Sequence, residues 1–170
     1  MRCCPYLRNG DSVARDCCTR YGDSAQQDSI YTECVLPLVD SFFKGYNATV
    51  FAYGQTGSGK THTMGTVGVS GTVEEDQGII PRALADIFHE VSTRSATADV
   101  SVRVSFLEIY NENIRDLLDH SPAASSKSIS IRDDAAGNVK VLGASEISVE
   151  SCSDMVQSPY FNTAFVYWIK

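Results

Sequence analysis

Ala48-Thr49-Val50-Phe51-Ala52-Tyr53 runs without a break into Gly54-Gln55-Thr56-Gly57-Ser58-Gly59-Lys60-Thr61. The first six residues are small, β-branched or aromatic, and read as a short buried strand. The next eight match the pattern Gly-x-x-x-x-Gly-Lys-Thr, in which each fixed position has a chemical reason. Glycines let the backbone curl so that successive N–H groups point inward at anionic oxygens. Lys60 offers a point charge to the β- and γ-phosphates of a nucleotide, and the Thr61 hydroxyl can ligate Mg²⁺. A helix opening at that point turns its positive end toward the same anion. The β-run before the loop is the context that the pattern demands, so a glycine-rich turn with no ligand is the weaker reading.

Upstream of the strand, Ile30, Cys34, Val35, Leu38, Val39 and Phe42 recur at three- and four-residue steps, which predicts an amphipathic helix from Gln26 onward. Pro37 should kink that helix, and Gly45 is placed to stop it. Downstream, the polar stretch from Gly65 to Gln77 reads as a surface loop. Pro81 then opens a second amphipathic helix carrying Leu84, Ile87, Phe88 and Val91. Val100, Val102, Val104 and Phe106 alternate with polar neighbours and lead into Leu107 and Ile109, a long strand. Asn111-Glu112-Asn113 turns the chain, and Ile114, Leu117 and Leu118 fit a short helical turn. Ser128–Arg132 and Val139–Leu142 form the arms of a β-hairpin, and Glu146–Val149 reads as one more strand. Residues 1–23 show no sustained period and read as an irregular N-terminus. Ser158–Lys170 is a separate aromatic tail carrying Tyr160, Phe161, Phe165, Tyr167 and Trp168. Residues 24–157 are thus predicted to be α/β, a mixed sheet flanked by helices of the P-loop NTPase type.

The balance of 14 basic and 21 acidic residues leaves a net charge of −7. A generic basic grip on nucleic acid is therefore excluded, because such binding rests on neutralising phosphates. No run of ~18 apolar residues exists, so no membrane-spanning helix is expected. Met1-Arg2-Cys3-Cys4-Pro5 has no apolar signal core after its basic residue. The expectation is a soluble, intracellular chain without nucleic-acid or membrane partners. Cysteines stand at 3, 4, 17, 18, 34 and 152. Zinc sites separate paired ligands by two to four residues, and no histidine lies near these pairs, so the cysteines read as reduced thiols.

A phosphate loop alone does not hydrolyse anything. Hydrolysis needs an acidic residue on a second strand for Mg²⁺ and a group that orients water. Asp134-Ala135-Ala136-Gly137 has the Asp-x-x-Gly shape of a phosphate-sensing switch, but it reads as a hairpin turn. Glu108 is better placed as a second-strand acid, yet an acid inside a long strand is more often structurally paired. Neither is taken as catalytic, and no catalytic residue is assigned.

The longer stretch Gly45-Tyr46-Asn47-Ala48 through Lys60-Thr61-His62-Thr63-Met64-Gly65 resembles the phosphate loop of a kinesin motor domain. Gly78-Ile79-Ile80-Pro81-Arg82-Ala83 is similar to the family's next helix start. Val104-Ser105-Phe106-Leu107-Glu108-Ile109-Tyr110-Asn111-Glu112 with Ile114-Arg115-Asp116-Leu117-Leu118 is similar to its signature strand and turn. Ile131-Arg132-Asp133-Asp134, with Gly137-Asn138-Val139 and Gly143, leans toward the class-four chromokinesins and their Costal-like relatives. The resemblance covers roughly residues 24–156.

That resemblance implies that Gly54, Gln55, Thr56, Gly57, Ser58, Gly59, Lys60 and Thr61 cradle the phosphates of ATP, with Thr61 on Mg²⁺. It implies that His62 packs near the adenine; taken alone, His62 reads as a helix-surface histidine. His89 and His120 read as surface residues. The implied activity is ATP-driven, microtubule-based movement, with microtubules as partner and the cytoplasm and cytoskeleton as location. The chain also departs from the pattern. The adenine-platform strand is not evident in residues 1–23, and both switch motifs, Ser-Ser-Arg-Ser-His and Asp-Leu-Ala-Gly, are missing between Met1 and Lys170. The expectation is therefore the front half of a motor domain, limited to nucleotide binding. The rivals are a non-motile signalling scaffold and a small nucleotide kinase, the latter disfavoured by the lack of Arg clusters near the loop.

Overall fold

The computed structural model describes residues 2–8, 19–21, 25–65, 76–120, 129–135, 137, 139–156 and 166–167. The chain divides into two compact units, Met1–Thr97 and Ala98–Lys170. Every strand pairing among the described residues is antiparallel.

In the first unit the predicted helix is one continuous run in three parts. Helix α1 (Gln27–Ile30) passes into a π-helical turn (Tyr31–Val35) and then into α2 (Leu36–Phe42). Where the sequence predicts a kink, the chain uses this wide turn. Pro37 lacks an N–H, and its ring crowds the carbonyl four residues back, at Glu33, inside the π turn. Ile30, Tyr31, Cys34, Val35, Leu38 and Val39 are buried, at the spacing of one helical face. They pack beside helix α4 (Ile79–Arg94), whose Ile79, Leu84 and Ile87 are also buried. Helix α4 begins at Ile79, two residues before the predicted Pro81 start. Gly45, at φ +91°, ends α2 as expected.

Strand β3 (Asn47–Tyr53) leads into the glycine-rich loop. Its partner corrects the sequence reading. Residues 1–23, expected to be irregular, contain β1 (Arg2–Arg8) and β2 (Thr19–Arg20). β1 lies antiparallel along the whole of β3, from Arg2 opposite Tyr53 to Arg8 opposite Asn47. Cys and Arg carry little β signal, and Pro is disfavoured inside a sheet. Among the described residues β2 pairs only with Arg2 and Cys3, so Pro5 lies where β1 is paired on the β3 side alone, and its missing N–H leaves no bond to β2 unmade. A second correction concerns burial: Phe51 and Tyr53 are 60% and 89% exposed, so β3 is not a buried strand within the described residues.

In the second unit the predicted long strand is divided at Ser105 into β4 (Val102–Val104) and β5 (Phe106–Tyr110). The Ser105 hydroxyl donates to the carbonyl of Ser145 at 2.7 Å, which ties the break to the segment before β9 (Ile147–Val149), the partner of β4. Residues 114–118, expected as a helical turn, instead contain β6 (Asn113–Asp116). Asn111 and Glu112 both have positive φ, at 48° and 64°. A two-residue turn of that kind matches the twist of paired strands and returns β6 antiparallel onto β5. The predicted hairpin is present as β7 (Ser130–Asp133) and β8 (Val139–Leu142). The core of this unit is Val102, Val104, Phe106, Leu107, Val149 and Met155. Helix α5 (Cys152–Val156) opens with reciprocal capping, in which the Asp154 carboxylate accepts from the N–H groups of Glu150 and Ser151 and the Ser151 hydroxyl accepts from the Asp154 N–H. These bonds, led by the one from Glu150, hold the exposed Asp154 carboxyl below the usual range. Of the expected aromatic tail, Val166–Tyr167 forms β10 on the other edge of β5, and the rest lies outside the described residues. The same is true of residues 66–75 in the predicted surface loop. No helix among the described residues is long and apolar enough to cross a membrane.

Candidate functional site: a phosphate-binding loop

The loop from Gly54 to Gly59 joins β3 to helix α3 (Lys60–Met64). Gly57 and Gly59 have φ of +80° and +85° with open space where a Cβ would stand. Glycine is therefore required at both for conformation, not for room. Gly54 has the opposite requirement, since a Cβ there would strike the side chain of Ser58. The Ser58 N–H donates to the Gln55 carbonyl at 3.2 Å, closing the turn, and the Thr63 N–H donates to the Gly59 carbonyl at 2.9 Å to start α3.

The half-buried Lys60 reaches back across the loop. Its Nζ donates to the carbonyls of Gly54 at 2.6 Å and Gln55 at 2.8 Å. The ammonium is thus held at the loop itself, ready to exchange neutral acceptors for anionic ones, which bind it more strongly. Thr61 is exposed beside it. Among the described residues no group of His, Cys, Asp and Glu is arranged as a metal cage. One hydroxyl at a phosphate loop suits Mg²⁺, which keeps waters and takes phosphate oxygens as ligands. Curled glycines, a tethered lysine and a free-standing hydroxyl together fit a Mg-nucleotide.

Three contacts that sequence reasoning missed brace this loop. Gly65 (φ +96°) and Gly78 meet backbone to backbone, and a Cβ on Gly78 would land on Gly65 and on the Thr63 carbonyl. That contact sets α3 directly against the start of α4. Arg82 of α4 donates to the Gln77 carbonyl and pairs with Asp28 of α1 at 3.0 Å. Gln27, 6% exposed, donates from Nε2 to His62 Nδ1 at 2.9 Å and to the His62 carbonyl at 2.6 Å. A signal for Gln27 existed in the sequence: it lies in phase with Ile30, Tyr31, Cys34 and Leu38, a polar residue on the apolar stripe. Further along that stripe, the Tyr31 hydroxyl donates to the Asp86 carboxylate. Burial first, and then that bond, pushes the Tyr31 phenol far above the usual tyrosine range.

The other sequence candidates are elsewhere. Glu108 pairs with Arg115 at 3.4 Å across β5 and β6 in the second unit, as an acid inside a strand commonly does. Asp134 accepts the Gly137 N–H and pairs with Lys140 in the β7–β8 turn. His89 and His120 are exposed.

A strand, a glycine-rich loop closed by its own lysine, and a following helix define an α/β protein of the P-loop NTPase type. The kinesin motor domain family matches residues 16–159, and the chain belongs to that family. It is 47% identical over 136 residues to Kinesin-like protein KIF27 of Mus musculus, covering 80% of this chain and 10% of that protein. It is 48% identical over 136 residues to Kinesin-like protein kif7 of Danio rerio, again covering 80% and 10%. A solved structure described as "Structure of a fast kinesin: Implications for ATPase mechanism and interactions with microtubules" superposes with a TM-score of 0.69 at 36% identity, over 82% of this chain and 38% of that one. The chain therefore spans about a tenth of the length of these curated relatives. The family resemblance and the fold expected from sequence are borne out.

Proposed function

We propose that residues Gly54–Thr61 bind the phosphates of ATP, with Thr61 on Mg²⁺ and His62 beside the base. The observation that carries this reading is the Lys60 ammonium drawn onto the carbonyls of Gly54 and Gln55, in a loop whose Gly57 and Gly59 are left-handed. Bound Mg²⁺ would neutralise part of the phosphate charge. The chain's own residues do the rest: backbone N–H groups orient the phosphates and Lys60 balances their charge. Family membership supports ATP-driven movement along microtubules as the activity of the whole protein, with the cytoskeleton as its location. Residues 24–157 are the proposed motor portion.

Equilibrium titration with a fluorescent ATP analogue, with and without Mg²⁺, tests the site. Binding should be Mg²⁺-dependent, and Thr61→Val should remove most of that dependence. Affinity that ignores Mg²⁺ in the unaltered chain would overturn the assignment of Thr61. In a chain extended through the remainder of the motor domain, microtubules should accelerate ATP turnover.

A further inference from the structure

Gln27 is buried, yet its Oε1 has no hydrogen-bond partner while its Nε2 has two. A buried amide normally satisfies its oxygen, because a bare acceptor away from water is costly. Reversing the amide would not repair this, since it would set Oε1 against the His62 carbonyl at 2.6 Å, acceptor facing acceptor. The amide is therefore oriented by His62. One Nε2 proton goes to the His62 carbonyl, and the other points at Nδ1, which must receive it on a lone pair. A neutral imidazole with Nδ1 as acceptor carries its own proton on Nε2.

We propose that Gln27 is a positioning residue for the nucleotide base, holding His62 in one ring orientation and in the Nε2–H tautomer. This rests on the reading of Gly54–His62 as a nucleotide site. His62 follows Lys60 and Thr61 directly and is exposed, so it is placed to meet what lies beyond the phosphates. With Nδ1 occupied, its outward edge is a hydrogen-bond donor, which suits the ring-nitrogen acceptors of a purine. The grip on both the ring and the carbonyl of His62 also fixes α1 to α3, so base and phosphate contacts share one frame.

Nitrogen-15 NMR of the 170-residue chain at about pH 8, without nucleotide, reads the tautomer directly. The expected result is a proton on His62 Nε2 and a scalar coupling across the Gln27 Nε2–His62 Nδ1 hydrogen bond. A proton on Nδ1, or no coupling, overturns the proposal without any variant. Gln27→Met removes the donor and adds no charge, so His62 should lose its single Nε2–H form; an unchanged tautomer would show that Gln27 does not set it. Calorimetry then compares MgATP with Mg-tripolyphosphate, which has no base. Gln27→Met should weaken MgATP about fivefold, the effect of one ordinary hydrogen bond, and leave tripolyphosphate unchanged. Equal losses for both ligands would mark a structural role only and refute base positioning. If the unaltered chain binds neither ligand, the nucleotide reading itself fails, and base positioning fails with it.

Discussion

Removing the Lys60 ammonium separates the loop's structural role from its binding role. In Lys60→Ala the carbonyls of Gly54 and Gln55 lose donors at 2.6 Å and 2.8 Å. Gln55 is exposed and Lys60 half-buried, so water replaces most of what is lost, and folding stability should fall by about 1 kcal/mol or less. Binding is a different matter. A unit charge about 4 Å from a phosphate oxygen in partly screened surroundings is worth about 4 kcal/mol. Delivering Nζ to that oxygen ends its carbonyl bonds, which offsets about 1 kcal/mol. The remaining difference of about 3 kcal/mol corresponds to about 150-fold in affinity. Urea denaturation and calorimetric titration with MgATP, run on the same preparations, measure the two quantities. A variant that binds within threefold of the unaltered chain would refute the placement of phosphate at this loop. A stability loss well beyond about 1 kcal/mol would instead show that the lysine is mainly a structural tie.

Gly78→Ala should destabilise the first unit by about 1–3 kcal/mol, because its Cβ meets the backbone of Gly65 and no flexible side chain can yield; a denaturation midpoint equal to the unaltered chain would show that this contact is loose. Gly57→Ala meets nothing but must hold φ at +80°, so about 1–2 kcal/mol of backbone strain is expected, with MgATP binding weakened as the loop relaxes. Phe106→Ala removes a ring that is 0% exposed and should cost about 3–5 kcal/mol, whereas Ile109→Ala, at a residue 59% exposed, should cost less than about 1 kcal/mol; equal effects in urea melts would contradict the register of β5. Asp154 titrates below its unfolded value when folded, so what it contributes is present above about pH 4 and lost as pH falls through the lower, folded pKa. Asp154→Asn should therefore be less stable than the unaltered chain at pH 7, with the gap closing in acid, and a gap that persists at about pH 2 would exclude this titration as its source.

The strand, glycine-rich turn and helix around Gly54–Thr61 were legible in the sequence because their requirements are local. Left-handed φ at Gly57 and Gly59, a charge at Lys60 and a hydroxyl at Thr61 are properties of single residues at fixed offsets. The faces of the helices were legible for the same reason: the spacing of Ile30, Cys34 and Leu38 within one segment is enough to place them inward. The β7–β8 hairpin also lies within one short stretch. What the segments could not contain was the identity of a distant partner. Arg2–Arg8 has no strand signature of its own and becomes a strand because β3, some forty residues later, offers a full antiparallel ladder. Ile114 to Leu118 is compatible with a turn of helix or with a strand, and pairing of Glu108 with Arg115 and of Ile109 with Ile114 decides for the strand. Intrinsic preferences of such segments differ by only tenths of a kcal/mol per residue, so a paired neighbour outweighs them. The exposure of Phe51 and Tyr53, the backbone contact of Gly65 with Gly78, and the choice of His62 as partner for Gln27 were likewise settled by tertiary structure, because each depends on a group that approaches through space from a separate element.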